Sequence, residues 1–155
     1  MRCVRSTDTT PEKRVRSLLH KLGFRFRLHR NDLPGKPDIV LPKHHTVVFV
    51  HGCFWHRHQE CPHATTPASR QEYWLPKFGR TVERDKKNQQ LLGQKGWNVV
   101  VVWECETKDL NKLTEELLGI VAHDESLVWQ RQSLSIAMAA EKQADYNTEK
   151  NSKVF

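Results

Sequence analysis

Hydrophobic residues recur at helical spacing near the start of the chain. The apolar positions lie three or four residues apart: Val15, Leu18, Leu19 and Leu22. This spacing predicts an amphipathic helix over residues 9–22 with one buried face. Thr9 or Thr10 can cap the helix, Pro11 suits its first turn, and Gly23 is a typical terminator.

A different pattern follows from residue 24 to residue 29, where apolar and basic residues alternate and predict a strand with one face inside. The turn sequence Pro-Gly-Lys-Pro at 34–37 leads into a short apolar run that starts at Asp38 and ends at Leu41. A second apolar run occupies residues 46–50. Because the two runs are short and separated by a few residues, we expect two buried strands paired as a hairpin.

The second half of the chain predicts a loop, two helices and one more strand. Residues 51–80 are rich in Gly, Pro, His, Cys and Trp, and we interpret them as a loop that needs an additional cross-link to stabilise it. Residues 82–95 predict a charged helix, and residues 97–103 form an apolar run typical of a strand buried on both faces. Another amphipathic helix is predicted over 110–122. The fold class is therefore α/β, with a mixed central sheet flanked by helices and one crossover connection.

Composition limits the chain to one hydrophobic core. Of its 155 residues 37% are hydrophobic, which suffices for one domain and leaves no surplus for a second. We expect a domain over residues 1–123 and a polar, poorly ordered tail over 124–155. No segment is apolar for long enough to cross a membrane, and the N-terminus lacks the apolar centre of a secretory signal. The expected location is the cytoplasm.

The charge balance favours an acidic polymer as partner. Lys and Arg outnumber Asp and Glu by 25 to 18, and the sequence pI is about 9.4. A nucleic acid fits this excess, although a solvated basic surface without a partner would give the same composition.

The cysteines suggest a metal site. Without an export signal, the four cysteines are better read as metal ligands than as two disulfides. Cys53, His58 and Cys61 lie in one short loop, and Cys105 follows the last predicted strand, so these four side chains could form a closed tetrahedral structural zinc site. His56 and His63 are competing imidazoles, and Cys3 is interpreted as a bystander. The alternative is that the cysteines are ordinary buried thiols and the histidines are solvated.

Two carboxylates could serve a second metal ion. Asp38 lies at the junction of a turn and a predicted strand, beside the backbone carbonyls of the next strand. Carboxylate and carbonyl oxygens are ligands that suit Mg²⁺. Glu12, in the first turn of the opening helix, could add a carboxylate that acts behind the direct ligands or through a bound water. Asp38 could equally be a turn former, which is common at the start of a strand.

Two segments carry a family resemblance: LPGKPDIVLPKHHTVVFVHGCFWHRH at 33–58 and EYWLPKFGRTVERDKKNQQLLGQKGWNVVVVWEC at 72–105. They closely resemble the very-short-patch-repair mismatch endonucleases, and the similarity extends over residues 2–122. The resemblance implies the restriction-endonuclease-like fold. Two departures stand out, since the segment from His58 to Cys61 is one residue longer than in the family, and the family's basic N-terminal arm is only half present.

The resemblance also implies the catalytic residues. Asp38 looks like the main magnesium ligand, the backbone carbonyl of Val50 completes the first shell where the family usually has threonine, and Glu12 acts through water. His56 resembles the catalytic histidine, which Asp85 would orient. His51 is a further catalytic residue, which would contact the scissile phosphate or a metal-bound water.

The resemblance further implies that aromatic residues recognise the mismatch. Phe54, Trp55 and Trp74 match the residues that the family wedges into the base stack, and Lys77, with the neighbourhood of Thr81, would lie near the mismatched bases. Unstacking is easier at a mismatched pair, so a wedge provides a physical route to mismatch preference. The alternative is that such aromatics are core residues, a role we assign instead to Trp97 and Trp103.

The implied function is Mg²⁺-dependent nicking of duplex DNA on the 5′ side of the thymine in a T:G mismatch that arises from 5-methylcytosine deamination. The implied protein is a bacterial, cytoplasmic monomer that associates with the nucleoid when bound to DNA, and a mismatch-repair accessory protein is an optional further partner. Two alternatives stay open: a less specific nickase associated with a restriction-modification system, and a non-catalytic zinc-dependent module that binds distorted DNA.

Overall fold

A computed structural model describes residues 7–121 of the chain, so Cys3 and the tail predicted over 124–155 lie outside the described residues. The elements in chain order are α1 (Thr10–Lys21), β1 (Arg27–Leu28), β2 (Ile39–Leu41), β3 (Thr46–His51), α2 (Gln71–Gln94), β4 (Asn98–Trp103) and α3 (Leu110–Val121). Short 3₁₀ turns at Pro42–His44 and Glu106–Lys108 follow β2 and β4. Across residues 7–121, no helix has the length and apolar character needed to span a membrane.

The four strands form one mixed sheet in the order β1-β2-β3-β4. β1 pairs antiparallel with β2, and β2 pairs antiparallel with β3, as the predicted hairpin requires. β3 and β4 run parallel, with Val48 opposite Val100 and His51 opposite Trp103. Because parallel neighbours need a crossover, α2 carries the chain from the end of β3 back to the start of β4, as predicted. This confirms the mixed central sheet.

The hydrophobic core covers both faces of the hairpin. All three residues of β2 are fully buried, and since successive side chains of a strand point to opposite faces, both faces of β2 must be covered. One cluster joins α2 to the sheet and consists of Leu33, Val40, Val47, Phe49 and Leu92, with Trp97, Val99 and Val101 packed against it. Other fully buried side chains come from the two outer helices: Val15, Leu19, Leu113 and Leu117.

Helix α1 agrees closely with its prediction. Thr9 is the N-cap residue, Pro11 lies in the first turn, and Val15 and Leu19 are the residues buried on its apolar face. The following strand is shorter than predicted, because pairing is confined to Arg27 and Leu28 rather than running from 24 to 29. His29 adopts a positive φ of 46°, which turns the chain away from the sheet.

The predicted loop over 51–80 was wrong for its last ten residues, because α2 already begins at Gln71. The start of this helix was missed because Pro76 and the aromatic residues around it are more typical of a loop. Pro76 lies in the second turn, where its missing N–H removes one helical hydrogen bond. Trp74 and Phe78, four residues apart, face the same side of the helix and stack at 5.7 Å between ring centroids, which helps to offset that loss.

Strand β4 is less buried than predicted. Only Val102 is fully buried in it, and Asn98 is exposed. The reason is that β4 pairs only with β3 among the described residues, so it lies at an edge of the sheet rather than in its middle. The two tryptophans assigned to the core are accordingly only half-buried: Trp97 stacks on His45, and Trp103 stacks on His58.

Candidate active site and metal centre

Asp38 lies immediately before β2, where the ladder between β2 and β3 ends. Its Oδ2 accepts a hydrogen bond of 2.8 Å from the backbone N–H of Val50. Among residues 7–121, no group donates a hydrogen bond to its Oδ1. Burial raises the pKa of Asp38 to about 6 against the lowering effect of the Val50 N–H, and the nearby charge of Glu12 raises it further. A cation between these two carboxylates would therefore relieve an unfavourable pair of charges.

The carbonyl of Val50 faces the same side as Asp38. The carbonyls of His45 and His51 accept hydrogen bonds from the N–H groups of Asn98, the first residue of β4, and Glu104, which follows β4. The backbone groups of odd-numbered residues of β3 therefore face β4. Backbone groups alternate in direction along a strand, so the N–H and C=O of Val50 both face the opposite side. There the Val50 N–H already bonds Asp38. One carboxylate and one carbonyl oxygen thus converge at the open end of the hairpin.

Glu12 is 3% exposed and held by several donors at the start of α1. Its carboxylate accepts hydrogen bonds from the Asp8 N–H at 3.0 Å and from the Thr9 hydroxyl at 2.9 Å, and it forms an ion pair with Arg16 at 2.7 Å. Arg16 also bonds Asp8 at 2.5 Å and donates to Nε2 of His29 at 3.0 Å. These contacts fix the Glu12 side chain in place. Sequence reasoning missed the roles of Asp8, Arg16 and His29, because residues 8 and 29 meet only in the folded chain.

A histidine pair and a carboxylate lie beyond the end of β3. Nδ1 of His56 lies 2.5 Å from Oδ2 of Asp85 on α2, and the rings of His51 and His56 stack at 3.9 Å between centroids with 9° between their planes. Burial lowers the pKa of His51 to about 4, and the neighbouring His56 lowers it further, so His51 is neutral at pH 7. Although burial raises the pKa of Asp85, the hydrogen bond from His56 and nearby positive charges bring it below its usual range.

Aromatic side chains from the 52–70 loop and from α2 form a half-buried cluster beside the histidines. Phe54 lies 5.1 Å from Trp55 and 5.7 Å from Trp74, between ring centroids, and Phe78 beneath them is buried. Tyr73 is 53% exposed at the rim. The three predicted wedge residues are therefore neighbours on one surface. We call Phe54, Trp55, Tyr73, Trp74 and Phe78 the aromatic cluster.

Lys77 lies over this cluster. Its ammonium nitrogen is 5.2 Å from the ring of Trp55, 5.3 Å from that of Tyr73 and 5.6 Å from that of Trp74. Such contacts, with a hydrogen bond of 3.1 Å to the Tyr73 hydroxyl, hold the cation against the aromatic surface. Thr81 lies one turn further along the helix and bonds the Lys77 carbonyl.

The cysteine and histidine ligands predicted from sequence come together in one cluster. The ligand atoms of Cys53, His58, Cys61 and Cys105 all lie within 4.8 Å of one another. Nδ1 of His58 is 3.7 Å from the sulfur of Cys53 and 3.4 Å from that of Cys105. A tetrahedral zinc ion with ordinary bond lengths separates a sulfur and a nitrogen ligand by about 3.6 Å, so the cluster fits that geometry.

The three candidate imidazoles differ in what they contact. His56 is engaged with Asp85 and His63 is exposed, whereas His58 meets the three sulfurs. Between His58 and Cys61, Glu60 takes a positive φ of 56°. The His58 ring stacks on Trp103 at 4.2 Å and 5°, which holds the imidazole at the end of β4 next to Cys105. Burial raises the pKa of Cys53 to about 12, so a cation must displace its proton.

A solved structure has a similar fold. The structure resembles "Homing Endonuclease I-Bth0305I Catalytic Domain" with a TM-score of 0.53 over 75% of this chain and 97% of that one, at 22% identity. At this identity the likeness shows the fold alone, which is the restriction-endonuclease-like α/β fold predicted from the sequence.

Sequence relatives specify the family. The family described as DNA mismatch endonuclease Vsr matches residues 1–62. The chain is 53% identical to a "Type II nicking enzyme V.XorIIP" of Xanthomonas oryzae over 78% of this chain and 88% of the relative. It is 46% identical to the "DNA mismatch endonuclease Vsr" of Escherichia coli over 76% and 75%. The chain belongs to the Vsr family of DNA mismatch endonucleases and is a DNA endonuclease.

Proposed function

We propose that the protein nicks one strand of duplex DNA on the 5′ side of the thymine in a T:G mismatch, as a step in repairing deaminated 5-methylcytosine. The observation that carries this proposal is the position of the His56–Asp85 pair. It lies next to His51 at the end of β3, the strand whose Val50 bonds Asp38, and it adjoins the aromatic cluster. A metal-ligand carboxylate, a general base and a wedge surface are what mismatch nicking requires.

Asp38 and the Val50 carbonyl would hold Mg²⁺, with Glu12 contributing through a bridging water. Oxygen donors of this kind are what Mg²⁺ prefers. Burial, with a smaller contribution from the charge of Glu12, raises the pKa of Asp38, and a bound cation would favour its charged form. A bound Mg²⁺ would stabilise negative charge on the phosphate and on the leaving oxygen.

His56 is the proposed general base. Since its Nδ1–H donates to Asp85, the proton-free Nε2 can accept a proton from the attacking water. The carboxylate fixes this tautomer and stabilises the imidazolium that forms. His51, neutral and buried against His56, would contact the scissile phosphate. The water oxygen bonds to phosphorus as the bond to the 3′ oxygen breaks, which leaves a 5′-phosphate and a 3′-hydroxyl.

Phe54, Trp55 and Trp74 would wedge into the base stack beside the mismatch. Unstacking costs a few kcal/mol per step, and a mismatched pair reduces that cost. Half-buried rings that already pack on one another need little reorganisation to present an edge to DNA. Lys77, held over the same rings, would lie near the mismatched bases.

Cys53, His58, Cys61 and Cys105 would hold a structural Zn²⁺. All four positions are protein ligands, which suits a closed site rather than a catalytic one. The ion would fix the 52–61 loop, which carries His56 and the two aromatic residues next to Cys53. We further propose that residues 1–123 make up the endonuclease domain, with 124–155 as an appended tail, and that the enzyme acts as a bacterial cytoplasmic monomer.

A less specific nickase associated with a restriction-modification system is the second candidate. It is favoured by the names of two relatives, since the protein from Xanthomonas oryzae and another 45% identical one from Neisseria meningitidis are each called a Type II nicking enzyme. Both candidates use the same site residues and differ only in what duplex they accept.

The test is cleavage of matched end-labelled duplexes, one with a single T:G pair and one fully paired, by the purified protein with Mg²⁺. A discrete nick beside the thymine in the mismatched duplex alone supports the proposal. Cutting of both duplexes supports the less specific nickase. Binding without cutting contradicts both and identifies a zinc-dependent binding module. Asp38→Asn is the control for contaminating nucleases, because it should bind but not cut.

A further inference from the structure

Basic side chains form a stripe along one flank of α2. The residues are three or four positions apart and therefore lie on one side of the helix: Lys77, Arg80, Arg84 and Lys87. Three of them are exposed, and Lys77 is half-buried against the aromatic cluster. From Lys77 to Lys87 the stripe is about 15 Å long, because a helix rises about 1.5 Å per residue. We call these four residues the basic flank.

The basic flank connects two parts of the proposed site. At one end Lys77 contacts the aromatic cluster. Further along, the guanidinium of Arg84 lies 3.3 Å from Oδ1 of Asp85, while the other oxygen of that carboxylate bonds His56. Arg84 itself is 64% exposed, so its guanidinium can bond a ligand in solution and Asp85 at the same time.

A neighbouring turn adds a further cation to this side of α2. Gly35, with a φ of +73°, packs so closely on α2 that a Cβ at this position would lie 2.9 Å from the Cβ of Asn88. Lys36 follows it and is exposed. Asn88 is four residues from Arg84, on the same side of the helix, so the turn lies beside the basic flank.

One carboxylate lies among these cations. Glu83 is three residues from Arg80 and four from Lys87, so it is on the same side of the helix and offsets one of the four positive charges. Asp85, beside Arg84, is already bonded to His56. The flank therefore presents net positive charge, which suits a polyanion with regularly spaced charges.

We propose that the basic flank binds the phosphate backbone of the strand to be cut, between the wedged mismatch and the scissile bond, and that Arg84 is a positioning residue that links this contact to Asp85. The inference rests on the proposed function for the identity of the cut strand. The length of the basic flank, about 15 Å, matches about four base-pair steps of 3.4 Å. A phosphate bound at Arg84 would hold the guanidinium against Asp85 and so stabilise the orientation of His56.

The binding test uses Arg80→Gln and Arg84→Gln, with Lys86→Gln as the matched control, because Lys86 is also exposed on α2 but lies on the opposite flank. Affinity for a fully paired duplex and for a T:G duplex is measured over a series of salt concentrations without divalent metal. Each flank variant should lower the slope of log affinity against log salt by about 0.9, which is about eightfold weaker binding at 0.1 M salt. The control should keep the wild-type slope. Flank variants with the wild-type slope would overturn the proposal.

The positioning role of Arg84 is tested by nicking rates measured over a range of DNA concentrations up to saturation. Arg80→Gln should raise KM and leave kcat unchanged, whereas Arg84→Gln should also lower kcat, and Arg84→Lys should restore much of it because a cation is returned beside Asp85. If Arg84→Gln changes KM alone, the link to Asp85 is refuted. The salt dependence of DNA affinity is measured without cleavage. It therefore tests the basic flank even if the wild-type enzyme does not discriminate T:G duplexes from paired ones.

Discussion

Replacing Asp85 by asparagine removes one negative charge from the side of His56 while it keeps the size and shape of the group. The amide can also donate a hydrogen bond to Nδ1, which would favour the imidazole tautomer whose proton is on Nε2. That tautomer cannot accept a proton from water. The variant therefore tests both the charge and the orientation that Asp85 supplies.

The size of the effect follows from the geometry. The His56 and Asp85 side chains are 21% and 15% exposed, so their interaction is only partly screened by solvent. With the centres of an imidazolium and a carboxylate about 4 Å apart and an effective dielectric constant of about 20, the attraction is about 4 kcal/mol. Because about 1.4 kcal/mol corresponds to a tenfold change in rate, Asp85→Asn should slow the chemical step about a thousandfold.

The assay is single-turnover nicking of the T:G duplex with enzyme in excess, together with DNA affinity measured by fluorescence anisotropy. The rate should fall while affinity stays near that of the wild type. Glu83→Gln is the matched control, because it removes an exposed carboxylate from the far side of the same helix and should nick normally. A rate for Asp85→Asn within about tenfold of the wild type would refute the base role of the His56–Asp85 pair.

Other parts of the structure give further predictions. Asp38→Asn should abolish nicking and preserve mismatch binding in a gel shift, and residual cutting at the wild-type rate would contradict its role as metal ligand. Metal analysis should find one zinc ion per chain, and Cys105→Ser should lose it and expose the 52–61 loop to limited proteolysis, whereas retained zinc would refute the cluster. Trp55→Ala should lower the ratio of T:G to paired-duplex affinity, while a general loss of binding with an unchanged ratio would contradict the wedge. Leu19→Ala, at a fully buried position of α1, should lower the free energy of unfolding by about 2–5 kcal/mol in urea, and a change below about 1 kcal/mol would contradict its burial.

Local chemistry made several elements predictable. Helix α1 has a cap, a first-turn proline and an apolar face within fourteen residues, and the hairpin of β2 and β3 has two apolar runs joined by a short connection. These signals act between near neighbours, so they can be read directly from the chain. The start of α2 was missed because Pro76 and dense aromatic residues resemble a loop, while the stacking of Trp74 on Phe78 becomes visible only in the folded helix.

The sequence by itself determined the residue types of the candidate site, since the paired motifs around Asp38, Cys53 and Asp85 specify the family and with it a DNA endonuclease. Only the tertiary structure decided which of three imidazoles meets the sulfurs, that the Val50 carbonyl faces Asp38, and that Arg84 lies against the outer oxygen of Asp85. It also showed that β4 is an edge strand rather than a central one. The physical reason is that these facts depend on distances between groups that are far apart in the chain, which are set when the sheet register and the packing of α2 are fixed.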